Sequence, residues 1–417
     1  MAINLFYLTF TEQDDIVPES GNAQILSSSN DSHTVNTLAG NDRITGSSIG
    51  NNYYDVLGYG FKNEGVLNTD DGDDAITGIT SENPSIDFNY GFVNVGTLNA
   101  GEGNDVIFGS GYYVRTGYYN GIYNSGTLNA GEGDDIITGR AGSNGLYGGE
   151  YGIVNEGTLN TEDGNDVITG DGLYKGIIND GATMDMGEGN DTITASGISS
   201  RNGSTINTGN GEDSIISWGT FFNSGWAFLG QGNDSITITS ADYDQDALIN
   251  YNFIGTEDGD DIITIASSAI YNHGVIETGN GDDSIIVDEG FNGNGTRYGI
   301  YNNGGAINMG DGNDSIIANA GFESGENSSG AWFLGEGEDY IKGFGSGDFY
   351  GGNGNDTLEL TPGTYTVGIW GEGGESPIFT KGNQLMITSQ FETLIAGGIM
   401  YNFASLTAGQ IITVPEV

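Results

Sequence analysis

The sequence predicts an all-β fold, a parallel β-solenoid of about thirteen coils with a C-terminal β cap. Three observations predict it. A turn of the form Gly, polar residue, Asp, any residue, then Ile or Leu recurs thirteen times, as in Gly133-Asp134-Asp135-Ile136-Ile137. An apolar residue stands seven positions before every anchoring Asp. The runs between turns are three to five residues long, β-branched and bounded by Gly, which suits one edge of a stacked coil. A repeat of this kind builds coils that each contact only their neighbours.

Composition narrows the function. The chain has 417 residues, 58 acidic and 9 basic, with a net charge of −49. Repulsion on that scale opposes compaction unless cations neutralise it. Such a chain will not bind nucleic acid or an anionic membrane. It has no cysteine and only His33 and His273, so disulfides and thiolate or imidazole metal sites are excluded. Its oxygen donors are hard ligands and point to Ca²⁺. The 75 glycines follow no three-residue period, so collagen is excluded too. No apolar run is long enough to span a membrane. Met1 to Phe10 lacks the basic start and small-residue cleavage site of a secretory signal.

Residues 1–34 carry no anchor turn and are expected to cover the first coil. The repeats fill 35–358. The anchors are Asp42, Asp74, Asp105, Asp135, Asp166, Asp191, Asp213, Asp234, Asp261, Asp283, Asp314, Asp339 and Asp356. The Ile or Leu two places after each Asp and the apolar residue seven before it form two predicted core ladders. Eleven places before the Asp, Asn recurs as Asn63, Asn94, Asn124, Asn155, Asn202, Asn223, Asn250, Asn272 and Asn303. Gly follows most of these two places later, a second turn signal. The Asn column is expected to stack as an amide ladder. The stretch between one Asp and the next Asn varies in length and reads as an insertion loop. Residues 359–417 break the pattern with Pro362, Pro377 and Pro415. They are expected to form a cap of antiparallel strands, because an open solenoid edge recruits other chains.

The Asp half-repeat resembles the haemolysin-type (RTX) calcium-binding nonapeptide, G-G-x-G-x-D-x-U-x with U apolar. Gly351-Gly352-Asn353-Gly354-Asn355-Asp356-Thr357-Leu358 is the closest copy. The resemblance implies a β-roll or β-helix in which turn carbonyls and the Asp side chain hold Ca²⁺ between adjacent coils. It makes all thirteen anchors candidate metal ligands. The family binds ions along both edges, whereas here the second edge carries Asn-x-Gly and no Asp. One file of at most twelve Ca²⁺ is therefore expected, offsetting 24 of the 49 surplus charges. Acid replaces the first glycine at Asp70, Glu162 and Glu257, and Leu38 does so in the first turn. The alternative, that each Asp only caps a tight turn, leaves thirteen sets of glycines in register unexplained.

The stretch from Phe391-Glu392-Thr393-Leu394-Ile395 to Val414 is similar to the C-terminus of RTX proteins from cyanobacteria. That resemblance implies type I secretion through an uncleaved C-terminal signal, with folding outside the cell where Ca²⁺ is abundant. The expected role is a secreted calcium-binding structural protein: a surface-layer, adhesin or matrix component, free to assemble with like chains. The alternative is a protein that binds or modifies polysaccharide. Arg115, Arg140 and Lys175 lie in three consecutive insertion loops among tyrosines that include Tyr113 and Tyr119. That grouping is a candidate face for acidic polysaccharide, unless the tyrosines pack over their own coils. No P-loop, nucleophile elbow or zinc signature is present, and no enzymatic activity is expected.

Overall fold

The computed structural model describes residues 2–18, 24–26, 33–48, 58–80, 88–112, 118–142, 149–239, 246–288, 290, 298–325, 330–371 and 376–416. It divides into two compact units, Met1–Gly219 and Thr220–Val417. The chain is a parallel β-solenoid, and each unit contains three parallel sheets built one strand per coil.

One coil of the first unit shows the plan. Strand Tyr118–Asn124 lies in a first sheet and ends at the recurrent Asn. A two-residue bend leads to Thr127–Glu132 in a second sheet. The glycine turn with Asp135 follows, then Ile136–Gly142 in a third sheet. The next coil repeats the path at Gly149–Asn155, Thr158–Asn160 and Val167–Gly172. Register is kept residue for residue: Leu98 pairs with Leu128 and Leu128 with Leu159. In the third sheet, Ile107 pairs with Ile137 and Ile137 with Ile168. Because side chains alternate across a strand, a slip of one residue would expose both ladders.

Both core ladders are buried. Leu67, Leu98, Leu128 and Leu159 are fully buried, as are Ile137, Ile168, Ile193 and Ile215. Each such side chain contributes roughly 1.5–3 kcal/mol by leaving water. The second unit keeps the columns with larger groups, including Trp332 stacked on Phe349 at 4.4 Å.

The units differ in how closely their first and third sheets approach. In the first unit, Gly109 and Gly139 of the third sheet face Gly121 and Gly152 of the first. A Cβ at Gly139 would strike the Gly152 carbonyl oxygen. Backbone meets backbone there, which only glycine allows. In the second unit the same position, four after the anchor, carries buried Ile238, Ile265 and Val287.

The ends of the coil stack are built differently. Near the N-terminus, Ile16–Val17 already pairs in parallel with Arg43 and Ile44, and Ala2–Asn4 pairs with Gln24–Leu26. Residues 1–34 thus contain coil strands of their own. In the second unit, Gln384–Ser389 pairs in parallel with Gly347–Gly354. It then runs antiparallel to Ser376–Lys381, which runs antiparallel to Gly363–Trp370. Thr393–Ala396 continues the third sheet beside Thr357–Leu360 and is followed by antiparallel Ile399–Asn402.

Candidate metal centre

The anchor aspartates point into their turns. All thirteen are buried, none more than 1% exposed. One carboxylate oxygen is used within the protein. Asp105 N–H donates to Oδ1 of Asp135 at 2.7 Å, and Asp135 N–H donates to Oδ1 of Asp166 at 2.7 Å. The same bond recurs from Asp42 to Asp74 and from Asp314 to Asp339. The other oxygen, Oδ2, is buried without a hydrogen bond in Asp105, Asp135, Asp191, Asp314, Asp339 and Asp356; at Asp74, Asp166, Asp261 and Asp283 a Thr hydroxyl five residues earlier also faces the carboxylate and favours its ionised form.

A bare buried carboxylate oxygen is costly, and ionisation suffers for it. Burial pushes Asp135 and Asp191 up to about 8, with the neighbouring anchor charges adding to the effect. It pushes Asp74, Asp105, Asp261 and Asp314 to about 7, and Asp166, Asp283, Asp339 and Asp356 to about 6. A buried anionic oxygen repeated in successive turns is a group that a bound cation could satisfy.

The turn backbone supplies more oxygen. Two glycine columns, two and four residues before the Asp, hold positive φ, as at Gly131 (117°) and Gly133 (133°). In both columns the carbonyl of one turn is aimed at the next turn: a Cβ on Gly133 would meet the Gly103 oxygen, and one on Gly131 the Gly101 oxygen. Among the described residues no three acidic or histidine side chains converge. A cation held here would draw one carboxylate from each turn and take its other ligands from these carbonyls. Hard oxygens of that mixture suit Ca²⁺.

The first-glycine replacements bend the rule. Leu38, Asp70, Glu162 and Glu257 all adopt the left-handed region, with φ of 72°, 63°, 64° and 70°. Glycines at the equivalent position open wider, to 121° at Gly101 and 110° at Gly279. The four substituted turns therefore aim their carbonyls differently and carry backbone strain.

A second ladder stitches the same turns in the opposite direction. In most turns the residue just before the Asp accepts from its successor in the next coil: Asn165 N–H donates to Asp134 Oδ1 at 2.8 Å, and Asn190 N–H to Asn165 Oδ1 at 3.0 Å. Sequence reasoning read this position only as polar. It also missed both ends of the anchor ladder. Asp15 N–H donates to Asp42 Oδ1 at 2.8 Å, and Asp356 N–H donates to Glu392 Oε2 at 2.8 Å. The signal was present in the shared order acid-Thr-Leu of Glu392-Thr393-Leu394 and Asp356-Thr357-Leu358.

The opposite edge is chemically closed. Asn94 Nδ2 donates to Asn124 Oδ1 at 2.8 Å and to the Thr127 carbonyl at 2.8 Å, and Asn124 repeats both bonds one coil on. The ladder includes Asn179, fully buried, which the spacing of eleven did not select. In the second unit it runs through Asn223, Asn250, Asn272 and Asn302. Two expected members fall outside it. Asn302 holds the place assigned to Asn303, one residue earlier, and Ser200 holds the place assigned to Asn202, two residues earlier, while Asn202 sits in a left-handed turn bonded to Asp180.

Of the residues expected to form a glycan face, the structure describes Tyr119, Arg140 and Lys175. Tyr113 and Arg115 lie outside the described residues. Tyr119 is fully buried and so offers no exposed ring, which corrects its assignment as a glycan contact. It lies in the first sheet between Asn89 and Glu150, where its ring packs inside the fold. Arg140 is exposed on the third sheet, 5.9 Å from the Phe108 ring, while half-buried Lys175 stands in the first sheet beside Tyr151.

No protein-family profile and no curated protein sequence matches the chain. Among solved structures it is similar to a hyperactive, Ca²⁺-dependent, β-helical antifreeze protein from an Antarctic bacterium. The two share 22% identity and a TM-score of 0.43 over 74% of this chain and 84% of that one. An overlap of that kind fixes neither ligand nor activity for this chain.

Proposed function

We propose that this is a secreted, calcium-stabilised structural solenoid that works at the cell surface or in the extracellular matrix. The observation that carries the calcium reading is the contrast between two buried columns. The Asn amides satisfy one another, whereas the Asp column keeps an unmet anionic oxygen in turn after turn. The glycine turns that carry these aspartates stack carbonyl over glycine from one coil to the next. The anchors Asp42 through Asp356 would hold the ions, and bound Ca²⁺ would supply the positive charge that lets their carboxylates stay buried and ionised. Binding to the folded chain alone stabilises it by mass action at every occupied turn.

The secreted role rests on the same chemistry. A chain of charge −49 with buried acids stays unfolded where calcium is scarce and folds where it is plentiful. The C-terminal RTX-like stretch supports export by a type I system. The reading is structural, because the repeated Asp and Asn columns serve the stack itself. Circular dichroism during a calcium titration, with sedimentation of the product, tests it. A cooperative gain of β-signal and a compact sedimenting species are expected. A β-signal and melting temperature indifferent to EDTA would overturn it.

A further inference from the structure

The outward side of the first sheet in the second unit carries a continuous aromatic strip. The middle residues of Phe221–Asn223, Ile270–Asn272 and Ile300–Asn302 are Phe222, Tyr271 and Tyr301, and Ile249 stands in register between the first two. The residue after the ladder Asn adds Tyr251 and His273. Ring centroids follow one another at 5.7 Å from Phe222 to Tyr251, 5.8 Å to Tyr271 and 5.2 Å to Tyr301. His273 lies 5.8 Å from Tyr251. Tyr251 is 45% exposed, His273 is exposed and the other rings are half-buried. Asn303 Nδ2 donates to the Tyr271 hydroxyl at 2.9 Å and fixes that ring's tip.

The same outward positions in the first unit are chemically different. They carry Lys62 paired with Glu64, and Tyr123 whose hydroxyl donates to Glu156 at 2.6 Å. Among the described residues of the aromatic strip there is no Lys, Arg, Asp or Glu from Phe222 to Tyr301. Among the described residues, Asp246 stands beside Tyr251, and Glu323 is next in register after Tyr301. In a chain with 58 acids, an uncharged and partly exposed row of rings needs a partner that is itself uncharged.

We propose that this strip binds a neutral, extended β-linked polysaccharide laid along the coil axis, about one sugar ring per coil. Coils repeat at about 4.8 Å, close to the advance of one sugar in such a chain. Tyrosine presents an apolar ring to the C–H face of a sugar and a hydroxyl to its polar edge. The surrounding acids repel polyanions, and the described residues of the strip offer no cation to pair with them. The proposal moves glycan binding away from the loops of the first unit and changes its class from acidic to neutral.

The test uses the full chain folded in calcium. Retention is measured on swollen cellulose, xyloglucan and a β-1,3-glucan, with alginate as the polyanionic comparison. Binding to at least one neutral polymer is expected, with a loss of tenfold or more in the Tyr251→Ala, Tyr271→Ala double variant. Tyr251→Phe with Tyr271→Phe should retain most of it, which separates ring stacking from misfolding. Dichroism and melting temperature of the same samples report calcium-dependent folding independently. No retention on any neutral polymer, equal retention by the Ala variant, or retention on alginate alone would overturn the proposal.

Discussion

In EDTA, acid should substitute for calcium. A carboxyl that ionises higher in the fold than in the unfolded chain contributes stability that is fully present below its unfolded value. That stability is lost as pH rises through the folded value. The unfolded value is 3.8, and the buried anchors ionise between about 6, as at Asp166, and about 8, as at Asp135 and Asp191. The window of loss therefore runs from about pH 4 to about pH 8. Each pH unit across it is worth about 1.4 kcal/mol per anchor. The anchors sit in one column and raise one another, so their shifts do not simply add, but all point the same way. A folded domain has a net stability of about 5–15 kcal/mol, so several such anchors together are expected to unfold the calcium-free chain toward pH 8. The assay is far-ultraviolet circular dichroism in EDTA across that range, with sedimentation to exclude precipitate near the sequence pI of about 4.1. A rise in β-signal on going from pH 8 to pH 5 is expected. A flat signal, or a stronger one at pH 8, would refute the argument that buried carboxylates oppose the apo fold.

Three further outcomes follow from particular residues. Asp135→Asn keeps the acceptor for Asp105 N–H but removes the charge, so it should weaken the ions on both sides of its turn and lower the melting temperature in calcium. Losing one site saturated at a hundred times its dissociation constant costs about 2.7 kcal/mol, and Asp15→Asn, in the turn that begins the ladder, should cost less; equal losses would count against a continuous column. Glu162→Gly and Glu257→Gly relieve left-handed strain at φ of 64° and 70° and should each stabilise the calcium form by about 0.5–1 kcal/mol, read as a higher melting temperature; a decrease would show that these acids serve the turn. Asn124→Ala leaves the Asn94 amide and the Asn155 carbonyl oxygen short of partners and should cost about 2–4 kcal/mol in urea denaturation without changing calcium stoichiometry; a lost ion would place metal on that edge.

Much of the fold could be read from spacing because the turns themselves set it. The fixed distances from Asp to the Ile and Leu columns crossed no variable loop, and both columns are buried in register. Where a loop or bend intervened, the phase was lost by a residue, which is why Asn302 holds the place expected for Asn303. Glu392 went unrecognised as the end of the anchor ladder because a hairpin of 36 residues separates it from Asp356. Tyr119 shows a different limit: a loop-flanking tyrosine reads as exposed until the strand that buries it is seen. The glycine pairs Gly109 with Gly121 and Gly139 with Gly152 were invisible for a related reason, since contact between two sheets leaves no periodic sign in either strand.

The most direct measurement is an anomalous difference map from crystals of the calcium-loaded chain. A single file of peaks is predicted in each unit, one between successive anchor aspartates of that unit, within reach of Oδ2 of Asp105, Asp135 and Asp191 in the first and Asp314, Asp339 and Asp356 in the second. An absence of peaks there, or a second file beside Asn63, Asn94, Asn124 and Asn155, would contradict the assignment of the Asp edge as the only calcium edge.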